Sequence, residues 1–96
     1  MPMRFHLPSV LRQWAGGKEM VELRLPLDVR IAISEAFVIL GRDYPGIRQR
    51  VLDDQNSIRR HVNVFIDNEN VRFAEGGATK VTDDSDVWIY PALSGG

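Results

Sequence analysis

Apolar and polar residues alternate along Met3-Arg4-Phe5-His6-Leu7, and Pro8 stops the run. A period of two predicts a half-buried strand. Leu11 anchors the segment that follows, and Ala15-Gly16-Gly17-Lys18 reads as a turn. Alternation resumes at Met20 and runs to Leu25, with Val21, Leu23 and Leu25 on one face. The first two strands therefore form a hairpin. The period then changes. Ile33, Phe37 and Leu40 fall at i, i+4 and i+7, with Ala36 and Ile39 beside them. That spacing predicts an amphipathic helix, with Asp28 as a candidate N-cap, an end near Gly41 and Pro45-Gly46 beyond it. Ile47 to Leu52 adds a short helical turn, and Asp53 to Ser57 is polar and loop-like.

The clearest strand is Arg60 to Asp67. Val62, Val64 and Ile66 share one face, and His61, Asn63 and Phe65 the other. Asp67-Asn68-Glu69-Asn70 is a tight turn, Val71-Arg72-Phe73 a short strand, and Gly76-Gly77 and Thr82 to Ser85 two further turns. Val87-Trp88-Ile89-Tyr90 is the last strand. A sheet with one main helix across one face is a two-layer α+β domain. The expected boundaries are a domain over residues 1–90 and a tail over 91–96, ending in Gly95-Gly96.

Composition narrows the chemistry. At 96 residues, 44% hydrophobic and 26% charged, the chain has the make-up of one small globular domain. A net charge of −1 gives no whole-molecule attraction to nucleic acid or to an anionic membrane. No cysteine is present, so disulfides, thiolate metal sites and thiol nucleophiles are excluded. No apolar run has the length of a membrane span, and a cytosolic protein is the simplest expectation. His6 and His61 fall on polar strand faces and read as solvated. Asp83, Asp84 and Asp86 lack the glycine and bidentate glutamate of a calcium loop and read as a solvated turn.

The order of elements, the stretch "HVNVFIDNENVRF" and the ending "VWIYPALSGG" together resemble the ThiS/MoaD family of ubiquitin-like sulfur carriers. Within it, "LPSVLRQWAGG" and the long linker "VLDDQNSIRR" are most similar to CysO-like carriers. "DDSD" stands where many members have an Asp-Gly turn. The resemblance implies a β-grasp fold with a mixed sheet of four to five strands. It also implies a function without enzyme activity of its own. A ubiquitin-activating-like enzyme uses ATP to adenylate the carboxylate of Gly96. A sulfur donor then displaces AMP and leaves a thiocarboxylate, which feeds a sulfur-accepting synthase. The CysO-like features imply a PLP-dependent cysteine synthase as acceptor. The alternatives are the small subunit of molybdopterin synthase, docked on its large subunit, a ubiquitin-like protein modifier, and natural-product thiolation. The carrier itself would bind no cofactor or metal.

The residues fit that chemistry. Gly95 and Gly96 lack a Cβ, so their backbone can pass through a narrow channel. Pro91 has no N–H and helps to end sheet pairing. Phe65, Trp88 and Tyr90 would share the open face of the sheet if their strands are neighbours. Exposed aromatic clusters mark binding sites. With Pro91 and Leu93, these three are the candidate docking residues. Arg59, Arg60 and Arg72 read as solvated, with rim charges to a partner as the alternative.

Overall fold

The computed structural model describes residues 2–26 and 28–91. Alternation produces β1 (Met3–His6) and β2 (Met20–Leu23), which pair antiparallel with Phe5 opposite Val21. Their connection holds a 3-10 helix, Ser9–Ala15. Gly16 closes it in the left-handed region at φ 66°, where a Cβ would be strained. The helical stretch is α1 (Ile33–Leu40), and α2 (Pro45–Val51) follows with proline at its first turn. Then come β4 (Val62–Ile66), β5 (Glu69–Asn70) and β7 (Asp86–Pro91), the last preceded by β6 (Lys80–Val81).

The sheet order is β2-β1-β7-β4-β5. β1 and β7 run parallel and every other pair is antiparallel, so the sheet is mixed, as the β-grasp expectation required. One face carries the core. Met3, Phe5, Val64, Val87 and Ile89 are buried beneath Ile33, Ala36, Phe37 and Leu40 of α1 and Ile47 and Val51 of α2. The rings of Phe5 and Phe37 meet at 5.3 Å between centroids.

Two expectations are corrected, and one pairing is new. Asp28 does not cap the helix. Ala32 holds that position, the Ile33 N–H donates to the carbonyl of Thr79 at 2.8 Å, and Asp28 sits in a turn at φ 64°. Val71–Phe73 is a 3-10 turn rather than a strand, because the Asn70 side chain accepts from the Arg72 N–H at 2.9 Å and closes it. A two-stranded sheet of β3 (Ile31–Ala32) with β6 was not foreseen, since two residues are too few to display a period. The tight turn after β4 is borne out. Asp67 and Asn68 take φ 49° and 78°, the pair of positive values that a two-residue hairpin loop needs.

Candidate functional site

The strands show their second face to solvent. Asn63 and Phe65 on β4, Asp86, Trp88 and Tyr90 on β7, and Arg4 and His6 on β1 alternate with buried core residues. Register then decides who meets whom. Phe65 stands opposite Trp88, Trp88 opposite His6, and His6 opposite Met20. One row across the sheet thus reads Met20, His6, Trp88, Phe65. Asn63 and Tyr90 form the next row. The expected clustering of Phe65, Trp88 and Tyr90 is present. Phe65 meets Tyr90 edge-on at 5.6 Å, and Trp88 lies parallel to Tyr90 at 6.5 Å. Trp88 remains 39% exposed and Tyr90 46%. Aromatic area left open on a strand face, at positions that packing did not require, is what a docking anchor supplies.

His6 is not a solvated histidine. Its ring stacks on Trp88 at 3.8 Å, with 8° between the planes, and its Nε2 lies 2.8 Å from Asp86 Oδ1. A carboxylate only accepts, so Nε2 carries the proton. Asp86 is likewise not part of a solvated turn. Arg4 grips it through two parallel bonds, Nε to Oδ1 at 2.7 Å and Nη2 to Oδ2 at 2.8 Å. Such fork-to-fork pairs combine strength with fixed geometry. Arg4 and Asp86 therefore lock the His6 ring under Trp88. Alternation placed these residues on one face. Their contact needed the parallel β1–β7 pairing, which is invisible in either strand alone.

Hydrogen bonds from Arg4 and then His6 hold the Asp86 carboxyl well below the usual carboxylate range. A depressed folded-state pKa contributes stability above the unfolded value, near ~4, and that stability is lost as pH falls through the folded one. Melting temperature should accordingly drop on the acid side of about pH 4, and Asp86→Asn should flatten that limb. Thermal melts across acid pH check this, and identical limbs in the two proteins would contradict it.

At the C-terminal end of β7, pairing runs through Pro91, which stands opposite Val62. The Asp67 N–H donates to the Asp86 carbonyl at 3.1 Å, and this pair continues the β4–β7 register. Hydrogen-bonded pairs recur at every second position, so 63/90 exchanges bonds and Val62/Pro91 does not. The missing N–H of Pro91 therefore leaves no gap against β4. It removes a donor on the side of β1, beyond that strand's last paired residue, His6. Pro91 ends the strand at a place where no bond is lost. A groove of about 240 Å3 opens beside it, floored by Pro8, Val10, Leu11 and Ile89 and flanked by Arg50 and His61. Leu93, Gly95 and Gly96 lie outside the described residues.

Arg72 is not simply solvated. Its Nη2 donates to the carbonyls of Arg60 and Val62 at 2.8 and 3.2 Å and ties its own turn to β4. Arg59 is tied through Nε to the Gln49 carbonyl at 3.1 Å. Among the described residues, no three His, Asp or Glu side chains converge as metal ligands, and no helix is long and apolar enough to cross a membrane.

Full-length similarity to known proteins accompanies this geometry. The chain is 33% identical over 98 residues to the sulfur carrier protein CysO of Mycobacterium tuberculosis, covering all of both chains. It is 27% identical over 89 residues to small archaeal modifier protein 3 of Haloferax volcanii, covering 90% of this chain and 96% of that one. Among solved structures, the Amycolatopsis orientalis BexX/CysO complex matches with a TM-score of 0.83 and 28% identity, over 98% of this chain and 99% of its counterpart. Mycobacterium tuberculosis CysO matches with a TM-score of 0.80 and 29% identity, over 95% and 99%. No family model matches the chain.

Proposed function

We propose that this chain, which belongs to the ThiS/MoaD family of ubiquitin-like sulfur carriers and to its CysO-like members, takes up its sulfur at the carboxylate of Gly96. Sulfur-carrier function follows from that membership. The residue that bears the sulfur, the enzymes it meets and the final acceptor are our reading. The observation that carries it is the full-length match to CysO in a chain whose last two residues are Gly95-Gly96.

A carboxylate is a poor electrophile at neutral pH. An activating enzyme lets the Gly96 carboxylate attack the α-phosphorus of ATP. Pyrophosphate leaves and an acyl-adenylate forms. A sulfur nucleophile then attacks the carbonyl carbon and AMP departs with the C–O electron pair, leaving the thiocarboxylate. The carrier supplies no acid, base or metal to these steps. It supplies a slender substrate arm and a surface that positions it, which makes it a protein cosubstrate. ATP belongs to the activating partner. The acceptor we favour is a PLP-dependent cysteine synthase, and the setting is the cytosol.

Intact-mass measurement of the C-terminal peptide, on protein isolated with its cognate activating enzyme and a sulfide source, tests this. Exchange of one oxygen for sulfur is the expected result. Persistent absence of that species would remove the proposal. The similarity to a small archaeal modifier protein favours a second reading, in which Gly96 is joined to lysines of target proteins. Isopeptide-linked conjugates in extract would select it.

The aromatic face is the docking surface in this reading. Central aromatic anchors are worth at least about 2 kcal/mol in such interfaces. Trp88→Ala should therefore lower kcat/KM for adenylation by roughly 30-fold. Glu35→Ala, exposed on α1 in the layer behind the sheet, should leave it near the wild-type value. ATP–pyrophosphate exchange measures both.

A further inference from the structure

A second open surface lies beside the aromatic face. Arg48, Arg50, Arg59 and His61 line a cleft of about 630 Å3, facing a single carboxylate, Asp54. The three guanidiniums are held in place, and each by a neutral acceptor. Arg48 Nη2 donates to Asn56 Oδ1, and Arg59 Nε to the Gln49 carbonyl. Arg50 lies flat against Trp14, its Cζ 3.5 Å from the ring centroid, and reaches the Gly46 carbonyl at 3.4 Å. Trp14 can take that place only because residue 46 is glycine. A Cβ there would sit 2.7 Å from Trp14 Cε3.

None of these arginines forms an ion pair among the described residues. Asp53, which the charge of Arg59 influences, already accepts the backbone N–H groups of Gln55 and Ser57 at 2.8 and 3.0 Å. Neutral contacts fix the side chains, and Asp53 and Asp54 offset only part of their charge. Each guanidinium has five N–H donors and uses one of them here. Ordered arginines with donors to spare suit carboxylates, which accept them two at a time. In a chain of net charge −1, this is a local concentration of positive charge.

Its position is informative. Arg50 and His61 also flank the groove that ends at Pro91. Five residues follow Pro91, and fully extended they span at most about 18 Å. An enzyme that takes Gly96 into its active site must bring its surface within that distance of Pro91. The cleft adjoins that region, because it shares Arg50 and His61 with the groove beside Pro91.

We propose that the cleft formed by Arg48, Arg50 and Arg59 docks a cluster of Asp and Glu side chains on the activating enzyme, at the rim of the channel that receives the tail. This rests on the activation reading given above. The cleft steers the approach and sets the rotation of the carrier about its tail, and the aromatic face supplies hold once contact is made.

The test is ATP–pyrophosphate exchange with the full chain and its activating enzyme, across a range of salt concentrations. The Arg50→Glu/Arg59→Glu double variant should lose about tenfold or more in kcat/KM at low salt, with kcat at saturation unchanged. Its salt dependence should flatten. The Arg30→Glu/Lys80→Glu variant makes the same change in net charge at exposed positions elsewhere and should behave as wild type. The neutral Arg50→Gln/Arg59→Gln variant should fall between, and it decides the matter if the reversal fails to fold. A wild-type salt slope, with kcat/KM changed by less than about twofold in the reversal, overturns the proposal and leaves the activation reading standing. Loss of binding to inorganic tripolyphosphate without loss of activation also overturns it, assigning the cleft to free phosphate. A wild-type chain that is never adenylated removes the activation reading and this assignment together.

Discussion

Deleting Gly96 alone should abolish thiocarboxylate formation and leave the fold as stable as before. The loss follows from length. Without Gly96 the terminal carboxylate retreats by about 3.5 Å along an extended chain. Attack on ATP requires reacting atoms within roughly 3–3.5 Å, so a one-residue retreat takes the carboxylate out of reach of a site built for the full tail. The stability half follows from where the core lies. Every buried hydrophobic residue of the described chain falls between Met3 and Ile89. Mass spectrometry of the C-terminal peptide and a thermal melt of the same sample read the two halves separately. Sulfur found on Gly95 would mean that the channel tolerates a shorter tail. A lowered melting temperature would mean that the last residue helps hold the domain together.

The largest expected stability effect belongs to Phe37→Ala. Phe37 has no exposed surface, lies on the α1 face that meets the sheet, and packs on Phe5 from the central part of that sheet. Truncating a buried phenylalanine to alanine costs about 3–5 kcal/mol, part transfer and part cavity. Small domains have only about 5–15 kcal/mol in total. For a chain of this size the melting temperature should fall by at least about 12 °C. Phe73→Ala is the comparison. That ring is 83% exposed, and its loss should move stability by no more than about 0.5 kcal/mol. Urea unfolding with an unchanged slope would attribute the Phe37 effect to the native core. A small effect there would mean that the helix–sheet interface repacks around the hole.

What the sequence made legible depended on how long each pattern lasted. β4 and β7 repeat their alternation over five and six residues, and both the strands and their exposed aromatics were readable. α1 carried two turns of apolar spacing, enough to give its buried face and its end near Gly41. Asp28 had the chemistry of a cap, but the short β3 strand between it and the helix takes the chain elsewhere, and the Thr79 carbonyl meets the first helical N–H instead. At Val71–Phe73 a β-like composition yielded to one side-chain bond from Asn70. The Arg4–Asp86–His6 cluster was out of reach for another reason. It joins residues 80 and 82 positions apart, across a parallel pairing that no local period encodes. The arginine cleft was hidden likewise, because α2 and the linker before β4 contribute to it from separate stretches of sequence.

The place of β7 between β1 and β4 has a mechanical meaning. A strand at the rim of a sheet can be peeled away one rung at a time by tension on its end. β7 is flanked on both sides, so tension applied beyond Pro91 acts lengthwise on two ladders at once, and their rungs share the load. In the proposed reading, the domain is thus a firm anchor against the pull of an enzyme that draws the tail in.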